Sequence, residues 1–196
     1  SMITLILGGA RSGKSSFAEK KAQKIGDDEV IYLATAEAKD DEMKERIKLH
    51  QQQRNDSWQT IEEPLHVGEV LSSLPENEVV LIDCITVYIS NLLFVDLNEE
   101  KDKSNDTNTQ EINFGDKEKM IMEKMKKLVV AAKNKDIILV SNEVGMGIVP
   151  QTKVGREFRD IAGRVNQYLA KKADEVYITI AGLPVELKEL SAKLEI

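Results

Sequence analysis

Gly8-Gly9-Ala10-Arg11-Ser12-Gly13-Lys14-Ser15 follows the apolar run Ile3 to Leu7 and precedes a stretch whose apolar residues recur at helical spacing. Strand, glycine-rich loop and helix in this order make a phosphate-binding loop. The glycines let the backbone curl so that N–H groups point at phosphate oxygens. The Lys14 ammonium then reaches the β/γ region, and the Ser15 hydroxyl is placed to ligate Mg²⁺. A nucleoside triphosphate is the expected ligand.

Working outward, five apolar runs read as strands: Ile3 to Leu7, Glu29 to Ala34, Glu78 to Asp83, Asp136 to Ser141 and Glu175 to Ala181. Their nearly unbroken apolar character suits strands covered on both faces. Helical patterns separate them, so the expected fold class is α/β and P-loop NTPase-like, with a mostly parallel central sheet flanked by helices. The first helix places Phe17, Ala18, Lys21, Ala22 and Ile25 on one stripe and stops at Gly26. Asp116 is positioned to cap a later helix carrying Ile121, Met125, Leu128 and Ala132. Met120, Met122 and Met125 read as core filling or a subunit contact. Phe158, Ile161, Ala162, Val165 and Leu169 form another buried stripe.

With 196 residues, the chain is long enough for one well-buried core and short for two, so residues 2–196 read as a single domain. The polar stretch from Leu97 to Gly115 cannot bury enough apolar area to offset its ordering, which predicts an exposed surface insertion at 98–113. Lys and Arg total 27 against 34 Asp and Glu, a net charge of −7, which gives no support to a general nucleic-acid surface. No apolar run approaches the roughly 20 residues that cross a bilayer, so no membrane insertion is expected. Cys84 is the single cysteine, which excludes an intrachain disulfide. A cytoplasmic setting is the expectation.

Asp83 closes the run Val79 to Ile82, where a carboxylate at a parallel strand's C-terminal edge can polarise a metal-bound water or hold Mg²⁺ through water beside Ser15; a simple strand terminator is the other reading. Arg46, His50 and Arg54 recur every four residues and share one helical face. Two permanent cations disfavour imidazolium, leaving His50 a nucleophilic nitrogen that phosphate is drawn toward; a solvated surface face is the other reading. Asn142 and Glu143, ahead of Gly145 and Gly147, are placed to position a metal, a base or a substrate hydroxyl, a plain glycine turn at a strand end being the other reading. Arg156 and Arg159 read either as phosphate clamps or as members of an external salt-bridge network, with Asp160 available to neutralise Arg164. His66 reads as a capping, packing or surface residue. Cys84 reads as a buried thiol, since nothing near it in sequence supplies an activating base.

Taken in order, several segments together resemble the bifunctional adenosylcobinamide kinase/adenosylcobinamide-phosphate guanylyltransferase family. They are Gly8 to Ser15, Tyr32-Leu-Ala-Thr-Ala36, Asp41-Glu-Met through Arg46 and His50, Asp83-Cys-Ile-Thr86 with Ser90-Asn-Leu-Leu93, Ser141 to Pro150, and Gly155 to Gln167. The resemblance implies two reactions. A nucleoside triphosphate phosphorylates the aminopropanol hydroxyl of adenosylcobinamide. GTP then transfers GMP to adenosylcobinamide phosphate through a guanylyl-His50 intermediate, releasing pyrophosphate. It further implies ATP and GTP as substrates, a Mg²⁺ shell at Ser15 and Asp83, and a homotrimer with active sites near subunit contacts. A kinase lacking the transferase step, or a nucleotide-binding switch without turnover, would explain the loop alone.

Overall fold

The computed structural model describes residues 1–37, 57–101 and 112–191. The described residues form one seven-stranded sheet, whose strands are β1 (Met2–Gly8), β2 (Val30–Ala34), β3 (Gln59–Glu62), β4 (Val79–Asp83), β5 (Asp136–Asn142), β6 (Glu175–Ile180) and β7 (Leu183–Glu186). Across the sheet the order is β3-β2-β4-β5-β1-β6-β7. Every pairing is parallel except β6 with β7. Between the strands lie α1 (Lys14–Gly26), α2 (Val67–Ser73), α3 (Ile85–Lys101), α4 (Phe114–Ala131) and α5 (Lys153–Lys172), with the short α6 (Leu187–Leu190) after β7.

Alternate residues of each central strand enter two different cores, which is why the strands read as unbroken apolar runs. On one face Ile6, Tyr32, Leu81 and Val140 pack with Ala18 and Ala22 of α1. On the other, Leu5, Leu33, Ile82 and Leu139 pack with α2 to α5 through Leu71, Ile89, Met125 and Ile161. The stripes expected on α4 and α5 are buried as anticipated, Phe158 partly so. Met125 fills the core, and Met120 and Met122 pack at its margin. The α1 helix is further tied to β6 by Phe17, edge-on to Tyr177 at 5.1 Å, and by Lys21, 2.6 Å from the Glu175 carboxylate.

Four points add to or differ from what the sequence predicts. The edge strands β3 and β7 do not announce themselves, because one is polar and exposed and the other carries Pro184, tolerated where no further strand has to be paired. Within the insertion expected at 98–113, α3 continues through Lys101, since Glu and Lys propagate a helix already nucleated on the core. Residues 102–111 lie outside the described residues. The cap of α4 is Asn113, whose side chain accepts from the Asp116 amide at 3.2 Å; Asp116 sits in the first turn instead. Finally, Ile25 is 38% exposed at the end of α1, where the stripe has rotated off the sheet.

Candidate nucleotide site

The sheet brings the C-terminal ends of β1, β4 and β5 to one edge, and the phosphate loop rises from the first of them. Such an edge is where open α/β sheets place their ligands. The loop turns through Arg11 (φ 54°) and Gly13 (φ 89°), both left-handed, and the Ser12 amide closes back on the Gly9 carbonyl at 3.3 Å. Gly13 then caps α1, with the Phe17 amide bonded to its carbonyl at 3.0 Å. A side chain at Gly8 is excluded: its Cβ would lie 2.9 Å from the Thr179 carbonyl oxygen and 2.3 Å from Ser12 Oγ. Ala10 and Arg11 form the exposed rim, while Lys14 and Ser15 are half-buried. Lys14 Nζ donates to the Gly9 carbonyl at 3.2 Å, so the ammonium is folded over its own loop.

Loop conformation depends on β6 and β7 as much as on β1. Ala181 and Gly182 turn the hairpin with φ of 51° and 80°, and the Gly182 amide donates to the Ser12 carbonyl at 2.9 Å. Ser12 Oγ and Thr179 Oγ1 are buried beneath the loop without hydrogen-bond partners among the described residues.

Beside the loop, β5 ends in Asn142, in register with Gly8, and the Glu143 amide bonds the Gly8 carbonyl at 3.0 Å. Both residues expected to position substrate therefore flank the loop. The Glu143 carboxylate accepts from the Gly145 amide at 2.7 Å, which shapes the glycine turn. The Asn142 amide donates to Thr86 Oγ1 at 2.6 Å. Behind it, Ser141 Oγ lies 3.3 Å from Thr86 Oγ1 and donates to Asn166 Oδ1 at 2.7 Å, and Asn166 returns a bond to the Asn142 carbonyl. Thr86, Ser141 and Asn166 fall within segments that carry the family resemblance, but no local pattern pairs them, because the three come from distant parts of the chain.

Asp83 ends β4 with its side chain on the same sheet face as Val79 and Leu81, hence on the α1 face. That is the face from which Ser15 rises in the first turn of α1. Asp83 Oδ2 accepts from the Tyr32 hydroxyl at 2.6 Å. Next to it, the Thr35 hydroxyl accepts from the Cys84 amide at 2.9 Å and donates to the Cys84 carbonyl at 2.8 Å, while Asn91 holds the Thr35 and Pro64 carbonyls. Cys84 is buried as expected. Desolvation, reinforced by the Asp83 charge, pushes its thiol up to about 11, far from a nucleophile's range.

Among the described residues no three His, Cys, Asp or Glu side chains come together as a metal cage. The donors on offer are the Ser15 hydroxyl and the Asp83 carboxylate, both hard oxygens. A sparse all-oxygen set suits Mg²⁺, which keeps its waters and takes its other ligands from substrate phosphates.

The remaining candidates are placed less directly. Arg156 donates to the carbonyls of Pro150 and Gln151 at 3.0 and 2.8 Å, bracing the loop ahead of α5. Arg159 pairs with Asp160 at 2.9 Å. Arg164 makes its hydrogen-bonded pair with Glu118 across on α4, which raises the guanidinium's pKa further, and the Asp160 charge adds to this at longer range. His66 is exposed at the start of α2, where the Glu63 carboxylate, not the imidazole, accepts the free amides of Leu65 and His66. Arg46, His50 and Arg54 lie outside the described residues. No described helix is long and apolar enough to cross a membrane.

Comparison with known proteins adds to this geometry. A family sequence model described as CobU, cobinamide kinase / cobinamide phosphate guanyltransferase, matches residues 4–187. The bifunctional adenosylcobalamin biosynthesis protein CobU of Escherichia coli (strain K12) is 42% identical over 191 residues, covering 95% of the chain and 100% of the relative. Its counterpart in Salmonella typhimurium is 41% identical with the same coverage. The bifunctional protein CobP of Pseudomonas aeruginosa is 40% identical over 188 residues, 95% of the chain and 98% of the relative.

Proposed function

Because the chain belongs to the cobinamide kinase / cobinamide phosphate guanyltransferase family, we propose that it phosphorylates the aminopropanol hydroxyl of adenosylcobinamide and then transfers GMP from GTP to the product through a guanylyl-His50 intermediate. It is a bifunctional enzyme, kinase and guanylyltransferase, acting on nucleotides and cobinamide-type compounds. The single observation that carries the reading is the built phosphate loop, closed by the Gly182–Ser12 bond, within a chain matched to the family over nearly its whole length.

In the kinase step the loop amides and Lys14 hold the triphosphate, and the substrate hydroxyl oxygen attacks the γ-phosphorus as the nucleoside diphosphate leaves. Mg²⁺, held by Ser15 with Asp83, would neutralise charge on the phosphate oxygens. For transfer, a neutral His50 nitrogen attacks the α-phosphorus of GTP and pyrophosphate departs. The phosphate oxygen of the first product then displaces the imidazole, which regenerates His50. Lys14 stabilises the charge that develops on the departing group. Arg46 and Arg54 supply attraction for phosphate at His50, Asn142 and Glu143 position the second substrate from the loop's flank, and Arg156 and Arg159 of α5 supply further cations for its phosphate. A homotrimer belongs to the same proposal, supported by the apolar surface that Met146, Ile148 and Val149 expose beside the site.

Incubation with α-labelled GTP should leave an acid-labile label on the wild-type chain and none on His50→Ala. Equal labelling of the two would reject the histidine assignment. With adenosylcobinamide supplied, the products should appear in order, phosphate first and GDP adduct second; accumulation of the phosphate alone would leave a kinase only.

A further inference from the structure

We propose that Tyr32 is a positioning residue for the Asp83 carboxylate, fixing one of its oxygens so that the other is presented to the metal–nucleotide complex at the phosphate loop. This deepens the reading above and rests on Asp83 belonging to the Mg²⁺ shell. Tyr32 stands on β2 opposite Leu81 of β4, two residues short of Asp83. Its side chain lies on the α1 face of the sheet, in the core formed with Ala18, Ala22, Leu81 and Cys84, and it is 2% exposed. From there the ring reaches along the sheet toward its C-terminal edge, and the hydroxyl donates to Asp83 Oδ2 at 2.6 Å.

A hydroxyl-to-carboxylate contact of this length is that of a charge-assisted hydrogen bond. Among the described residues it is the one hydrogen bond that a side chain makes to the Asp83 carboxylate. A carboxylate at a strand end otherwise turns freely about its last torsion, and a metal shell needs its oxygen in one place. Partners behind a ligand orient it in this way and are felt in metal affinity when removed. Phenylalanine would fill the same volume under α1 and keep the packing, so Tyr32→Phe removes the bond to Asp83 while leaving the apolar core in place. The ring is locked by its neighbours, which makes the hydroxyl a fixed reference point.

The test separates positioning from packing. Mn²⁺, used as a spin probe in place of Mg²⁺, is titrated into wild type, Tyr32→Phe, Asp83→Ala and the double variant, each saturated with a non-hydrolysable GTP analogue. Removing an orienting partner typically weakens metal affinity about 10-fold; the expected results for Tyr32→Phe are a loss of that order, a parallel fall in kcat, and a nucleotide KM within about twofold. In the Asp83→Ala background, Tyr32→Phe should produce no further change. Wild-type Mn²⁺ affinity in Tyr32→Phe, with only its melting temperature lowered, would reduce Tyr32 to a packing residue and overturn the proposal. So would an undiminished effect of Tyr32→Phe in the absence of the carboxylate. If Asp83→Ala itself binds Mn²⁺ and turns over like wild type, the failure lies one step earlier, in the assignment of Asp83 to the metal shell.

Discussion

The backbone amide of Gly182 donates to the carbonyl of Ser12 across 2.9 Å, so a hairpin at the far end of the chain holds the crest of the phosphate loop. A Cβ on Gly13 would lie 3.0 Å from Gly182 Cα, whereas one on Gly182 would meet nothing within 4 Å. The two glycines share a left-handed backbone but not the same surroundings, and their substitution should differ accordingly.

Gly182→Ala should cost about 1–2 kcal/mol, the left-handed penalty alone, or roughly 2–8 °C in melting temperature for a chain of this size, with nucleotide affinity nearly retained. Gly13→Ala adds a backbone contact that must yield at the head of α1. It should lose nucleotide binding by more than the melting temperature would suggest. Thermal melts beside a fluorescent-nucleotide titration check the pair; equal affinities in the two variants would contradict the buttress.

Among the described residues the Lys14 side chain makes one hydrogen bond, to its own loop's Gly9 carbonyl, so little of the described fold depends on its ammonium. Lys14→Ala should melt close to wild type. On the proposed function both half-reactions should fall by at least about 10²-fold, the usual consequence of removing a preorganised charge from a transferring phosphoryl group. Separate kinase and transferase assays read this, and loss of one activity alone would show that the two reactions do not share the loop.

Ser141 bridges Thr86 and Asn166 in a buried chain of hydrogen bonds. Ser141→Ala strands Asn166 Oδ1 in the interior and should destabilise by about 1–3 kcal/mol. Denaturant unfolding measures the loss. Because the same network holds the Asn142 amide and carbonyl, kcat should fall further than the folded fraction does.

Burial raises the Cys84 thiol from 9.0 to about 11, with a definite sign for stability. The folded state holds the proton more tightly than the unfolded state. The contribution is therefore fully present below the unfolded value, declines as pH climbs from about 9, and is gone above about 11. Unfolding titrations between these limits should slope downward more steeply in wild type than in Cys84→Ala. Iodoacetamide at pH 8 should leave the native thiol unmodified and react only in denaturant.

Much of this molecule is written locally. Gly8 to Ser15 between an apolar strand and an amphipathic helix determined the phosphate loop, and five apolar runs parted by helical periodicity determined a mostly parallel α/β sheet. Burial on both faces imposes those patterns on short stretches of chain, where a sequence displays them. Likewise the strand-end place of Asp83 was legible because a carboxylate closing an apolar run stands out, and Cys84 read as a buried thiol because no base accompanies it.

Contacts between distant segments carry no such signature. Tyr32 meets Asp83 because β2 lies beside β4, Gly182 meets Ser12 because β7 folds back along β6, and Arg164 takes Glu118 over the nearer Asp160 because α4 and α5 pack side by side. Only strand order and helix packing decide these pairings, since a polar group's choice of partner is made among whatever the fold delivers within about 3 Å. The phosphate loop was determined by its own residues; the side chains and hairpin that hold it in working shape were decided by tertiary structure.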